Sequence, residues 1–137
     1  MAANRIDGKA CANAVETELL QRVADLTEAG SEPHLAVIIV GDDPASHVYV
    51  NSKIKTCARL GIRSTHIALP AHSDENVVRQ HILDFNARAD LHGILVQSPL
   101  PDHMNEEALT DLISPSKDVD GFHPQNPVSY THLTLPT

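Results

Sequence analysis

Tyr49 and Lys53 stand four residues apart in a segment of helical character, so both side chains fall on one face. An aromatic ring offers a stacking surface to a flat heterocycle, and a lysine in a partly desolvated cleft loses some preference for its charged form. Such a pair could hold a ring system and move a proton near neutral pH. Tyr-x-x-x-Lys also occurs on ordinary solvated helix faces, and spacing alone favours that plainer role. Gln97, at the end of an apolar run, is by itself more often a turn residue than a ligand. Asp118 and Asp120 precede the turn residue Gly121, and carboxylates so placed commonly bond the amides of their own loop.

Chemistry from these residues needs a frame that brings distant segments together. In residues 8–30, Ala10, Ala14, Val15, Leu19, Val23 and Leu26 recur at three- and four-residue spacings, predicting an amphipathic helix that ends at Gly30. Residues 35–40 are continuously apolar and β-branched, the pattern of a central parallel strand buried on both faces. Asp42, Asp43 and Pro44 open a second helix over 44–60, closed by Gly61. Val50, Ile54 and Cys57 form its apolar stripe, which turns Tyr49 and Lys53 sideways. Residues 62–69 read as a less buried strand ending at Pro70. Ser73 is the expected cap of a third helix reaching about residue 88, with Val77, Val78, His81, Ile82 and Phe85 inward.

Residues 93–97 predict a third buried strand, after which Ser98-Pro99-Leu100-Pro101 cannot continue a ladder. A short helix over 105–113 and a turn-rich stretch over 114–126 follow. Alternating strands and helices predict an α/β fold, a parallel βαβ sheet with flanking helices. In open parallel sheets ligands sit beyond the carboxyl ends of the strands. The loop 41–47, Tyr49, Lys53 and Gln97 all fall there.

With 137 residues, 42% of them hydrophobic, the chain can bury one core and is short for two. Eighteen acidic against ten basic residues, a formal charge of -8, argue against a nucleic-acid partner. No apolar run approaches the roughly 20 residues of a membrane span, and the first residues lack the apolar core of a secretory signal, so a cytoplasmic protein is expected. Cys11 and Cys57 read as reduced thiols, and the nine histidines never recur at i, i+3 or i, i+4, so no metal site is expected. Residues 127–137, PVSYTHLTLPT, continue no period that precedes them and read as a foreign or disordered tail outside the fold, with a frayed terminal strand as the plainer alternative.

Three long stretches change the odds on the candidate residues. They are Val40-Gly41-Asp42-Asp43-Pro44-Ala45-Ser46 with Tyr49-Val50-Asn51-Ser52-Lys53, then Gly93-Ile94-Leu95-Val96-Gln97-Ser98-Pro99-Leu100-Pro101, then Lys117-Asp118-Val119-Asp120-Gly121-Phe122-His123-Pro124. In order and spacing the chain resembles the FolD family, the bifunctional methylenetetrahydrofolate dehydrogenase/methenyltetrahydrofolate cyclohydrolases. The similarity covers about residues 6–126.

The resemblance implies that residues 1–126 are the amino-terminal, folate-binding catalytic domain of a two-domain enzyme of one-carbon metabolism. It implies Lys53 as general acid/base of the cyclohydrolase step and as an orienting group for hydride transfer. Tyr49 would pack on the folate rings, Gln97 would support Lys53, and Asp120 would hydrogen-bond the pterin. Leu100 and Pro101 would line the folate pocket. Ser98 departs from the leucine that the family more often carries there. The family's cofactor, NADP, would be bound by a second domain absent from this chain, and the full-length enzyme would be a homodimer. The six glycines, at 8, 30, 41, 61, 93 and 121, form no dinucleotide fingerprint. A fragment alone would then bind folate weakly and turn over poorly. Two other readings stand beside this one: a non-catalytic α/β binding module, and a short-chain dehydrogenase fragment. The second ranks far behind, because no glycine-rich loop precedes Tyr49.

Overall fold

The computed structural model describes residues 6–126; the eleven-residue stretch expected as a tail lies outside the described residues. Its elements run α1 (Gly8–Glu28), β1 (His34–Val40), α2 (Pro44–Leu60), β2 (Arg63–Leu69), α3 (Glu75–Ala87), β3 (Gly93–Val96) and α4 (Glu106–Thr110), with a 3-10 turn at Pro115–Lys117. The three strands form one parallel sheet in the order β2-β1-β3. The expected α/β fold, a parallel sheet with flanking helices, is what the chain forms.

β1 lies at the centre of the sheet and its apolar run is buried on both sides. Ala36, Ile38 and Val40 point into a core shared with Val78, Ile82 and Phe85 of α3 and with Ile94, Val96 and Leu109. Val37 and Ile39 point the other way, against Val50 of α2 and Leu95 of β3. The pleat thus divides one apolar run between two cores. Among the described residues β2 has no neighbour beyond it, and each of its residues is exposed or half-buried.

α2 is bounded as its ends dictate. The Asp43 carboxylate accepts the Ser46 N–H at 2.7 Å, and Pro44 occupies the first turn. At the other end Gly61 adopts a φ of 79°, the left-handed conformation that lets Ile62 N–H return to the Cys57 carbonyl at 2.8 Å.

Four expectations need correction. α3 is capped by Asp74, which accepts from Asn76 N–H, because the Ser73 hydroxyl is spent closing the preceding turn onto the Pro70 carbonyl. Val77 is 41% exposed; the inward face of α3 is centred on Val78, Ile82 and Phe85, and its neighbour is rotated off it. The helix expected over 105–113 is regular only as α4, since Leu112 and Ile113 N–H bond back three residues and tighten the chain into turns. In α1 only Val23 is buried, while Val15 and Leu26 are exposed. Its chief neighbour is α2 rather than the sheet, so most of its apolar stripe faces outward.

Candidate active site

The loop after β1 enters α2 on one face of the sheet, and the chain after β3 runs to α4 in the core on the other face. Diverging loops at adjacent carboxyl ends leave a crevice between β1 and β3. Gln97 sits at its floor: its backbone N–H extends the ladder to the Ile38 carbonyl at 2.8 Å. Its side-chain Nε2 donates to the Ser98 carbonyl at 2.8 Å, which leaves Oε1 facing α2. Lys53 Nζ, three turns into that helix, donates to this oxygen at 3.1 Å.

Ser46 belongs to the same network and was not singled out by sequence. It is 5% exposed; its hydroxyl donates to Asp43 Oδ2 at 2.7 Å and lies 3.5 Å from the Ser98 carbonyl. Bonds from the Ser46 hydroxyl and N–H hold the Asp43 carboxyl below its ordinary range. The peptide bond between Ser98 and Pro99 is cis. Asp43, Ser46, Gln97 and Lys53 thus form a continuous polar line across the carboxyl ends of two strands.

The two carboxylates after the 3-10 turn have opposite environments. Asp118 accepts from Gly121 N–H at 3.0 Å, His123 N–H at 2.8 Å and Asn126 Nδ2 at 2.8 Å, the self-bonded loop that spacing favoured. Burial pushes its pKa up, but these donors outweigh burial and the net displacement is downward. Asp120 makes none of these bonds. Burial raises its pKa, the Lys53 ammonium opposes that, and the negative charge of Asp118 adds to it. Lys53 and Asp120 share the wall of a mostly apolar cavity of about 390 Å³, floored by Leu35, Leu95 and Cys57. Burial raises the Cys57 thiol pKa, so it stays protonated there.

Of the remaining candidates, Tyr49 lies 63% exposed on the outward side of α2, one turn before Lys53. Leu100 is buried in the core on the α3 side, where its N–H donates to Glu106, and Pro101 is half-buried beside it. The structure therefore bonds Lys53 to Gln97, places Asp120 on the cavity that Lys53 lines, leaves Tyr49 open to solvent, and puts the Leu100 side chain in the core.

The Asp118 loop carries a pH prediction. A carboxylate held below its unfolded pKa stabilises the fold where it is ionised, fully above ~pH 4, and that contribution is lost as pH falls through the lower folded value. Asp118→Asn is expected to be less stable than the parent at neutral pH, with the gap in urea midpoint closing under acid. An equal gap at neutral and strongly acidic pH would exclude the mechanism.

Among the described residues no three His, Cys, Asp or Glu side chains are grouped as metal ligands, and no helix is long and apolar enough to cross a membrane. Residues 6–120 match the family described as tetrahydrofolate dehydrogenase/cyclohydrolase, catalytic domain. The bifunctional protein FolD of Geobacillus kaustophilus is 50% identical over 126 residues, 92% of this chain and 44% of that protein. Its counterpart from Prosthecochloris aestuarii is 51% identical over 122 residues, 88% and 41% of the two. The chain thus spans less than half the length of these relatives. Among solved structures, the bifunctional enzyme FolD of Campylobacter jejuni superposes with a TM-score of 0.89 at 44% identity, over 96% of this chain and 46% of that one. The Trypanosoma brucei enzyme, complexed with NADP and an inhibitor, gives 0.88 at 36% identity, over 97% and 46%.

Proposed function

Since the chain belongs to the tetrahydrofolate dehydrogenase/cyclohydrolase catalytic-domain family, we propose that it supplies the folate-binding half of an enzyme acting on one-carbon folates. The whole enzyme oxidises methylenetetrahydrofolate to methenyltetrahydrofolate and hydrolyses that to formyltetrahydrofolate. The observation that carries this reading is the Lys53 ammonium bonded to Gln97 at the sheet's carboxyl end, with Asp120 on the same cavity wall.

In the hydrolytic step, water adds to the cationic methenyl carbon and must lose a proton, while the nitrogen that leaves must gain one. Lys53 in its neutral form accepts the first proton and returns it to the departing nitrogen; the second proton leaves the hydroxyl for solvent as the carbon–nitrogen bond breaks and the formyl C=O forms, which carries away the positive charge of the methenyl group. Gln97 fixes the amine by a neutral acceptor, which orients Lys53 without pinning it as a permanent ion pair. Tyr49, exposed on α2 one turn before Lys53, offers its ring to the flat pterin. Asp120 accepts hydrogen bonds from the pterin's amino and amide groups.

The dehydrogenase half requires NADP. The glycines of the described residues are scattered singly and build no pyrophosphate loop, so these residues do not fit a dinucleotide and no step here passes through it. NADP is assigned to a part of the enzyme outside this chain. Family membership is also what supports a cytoplasmic homodimer for the full-length enzyme.

Calorimetric titration of this chain with a tetrahydrofolate analogue tests the reading. Saturable binding is expected, weakened in both Tyr49→Ala and Lys53→Ala. Binding indifferent to both changes would place the folate elsewhere, and no binding by the folded chain would overturn a site built by these residues alone.

A further inference from the structure

Asp120 has a defined place on the cavity that Lys53 lines and yet no side-chain hydrogen bond among the described residues, so its position must come from its flanks. Three residues earlier, the Lys117 ammonium donates to the carbonyls of Phe85 at 3.1 Å, Asn86 at 2.9 Å and Arg88 at 2.6 Å. These are carbonyls at the end of α3, where a helix runs out of internal donors. α3 has no basic residue in its last turn, so the cation that its negative end favours arrives from another part of the chain. Lys117 has three N–H donors, and all three are used.

The chain on either side of Lys117 has little slack. Asn86 holds the preceding segment through the Leu112 carbonyl and the Ser114 N–H. Beyond it, Asp118 pairs in parallel with Ile94, and Val119 packs over Gly93 so closely that a Cβ there would meet its Cγ1 at 2.7 Å. A short strand-like span thus runs from the α3 anchor to Asp120.

Resting on the folate reading above, we propose that Lys117 is a positioning residue, which by docking onto the carboxyl end of α3 sets Asp120 on the wall of the cavity that Lys53 also lines. It touches no substrate and acts through Asp120 alone. Lys117→Met keeps the aliphatic stem and removes the anchor, whereas Lys117→Arg keeps a cation able to reach some of the same carbonyls.

The test follows the Asp120 carboxyl by NMR pH titration in the 137-residue chain, with the amide spectrum reporting that the fold is intact. In the parent the Asp120 midpoint is expected above the ordinary aspartate value. In Lys117→Met it falls back toward that value, and in Lys117→Arg most of the displacement returns. If Lys117→Met does not fold, Lys117→Gln, which retains two donors, is read for the same downward shift. An unmoved Asp120 midpoint in a folded Lys117→Met or Lys117→Gln protein overturns the proposal. A parallel titration with the tetrahydrofolate analogue separates the two claims: the affinity loss expected of Lys117→Met is roughly tenfold, the scale of one charge-assisted hydrogen bond. No further loss is expected when it is added to Asp120→Asn. A shifted midpoint with unchanged folate affinity upholds the anchor and overturns the folate contact of Asp120.

Discussion

Lys53→Met, in an enzyme completed by the cofactor-binding part of a relative, is expected to lower methenyl hydrolysis by about 10²–10⁴-fold, the usual worth of a positioned proton-transfer group. Methionine preserves the length and apolar stem of lysine, so α2 and its packing through Val50 and Cys57 remain intact. What disappears is the ammonium 3.1 Å from Gln97. Folate binding through Tyr49 and Asp120 survives in part, so the loss falls on the turnover rate more than on affinity. Lys53→Arg restores the charge but not the rate, because a guanidinium does not release its proton in this pH range. A rate within a few fold of the parent in either variant would exclude Lys53 as the acid/base.

The largest expected change in stability comes from Ile38→Ala. Ile38 is fully buried at the middle of β1, among α3 and β3 side chains. Truncation there leaves a cavity between sheet and helix and is expected to cost about 2–5 kcal/mol, read as a lower urea midpoint with little change in slope. The backbone carbonyl of the same residue accepts the Gln97 N–H, so a core defect at this point also loosens the floor of the crevice. A loss well under 1 kcal/mol would mean that the core repacks around the missing atoms.

Sequence patterning disclosed the frame because its signals were local. Unbroken apolar runs marked β1 and β3, and Asp43, Pro44 and Gly61 punctuated α2 almost to the residue. Lys53 and Gln97 could each be placed at the sheet's carboxyl end, but their mutual bond depends on how α2 is rotated over the sheet, which no spacing reports. Ser46 escaped notice because a serine three residues after a capping aspartate looks like the ordinary recipient of the cap. Its hydroxyl, turned toward the Ser98 carbonyl, is a tertiary fact. Asp118 and Asp120 are alike in sequence, two residues apart, and only the fold of the loop gives one three donors and the other none among the described residues. The periodicity of α1 marked a helix correctly but could not say what would cover its stripe.

The sheet order also dictates when the crevice between β1 and β3 can first exist. β1 leaves the ribosome before either of its neighbours, pairs with β2 through the α2 crossover, and meets β3 only after about twice as much chain has been made. Closing the longer loop costs only ~0.6 kcal/mol more than the shorter, so the delay is one of synthesis rather than energy. Lys53 is delivered by the first closure and Gln97, 44 positions later, by the second. A nascent β1-α2-β2 unit would therefore carry its lysine with no amide to orient it, and the Lys53–Gln97 bond would await β3.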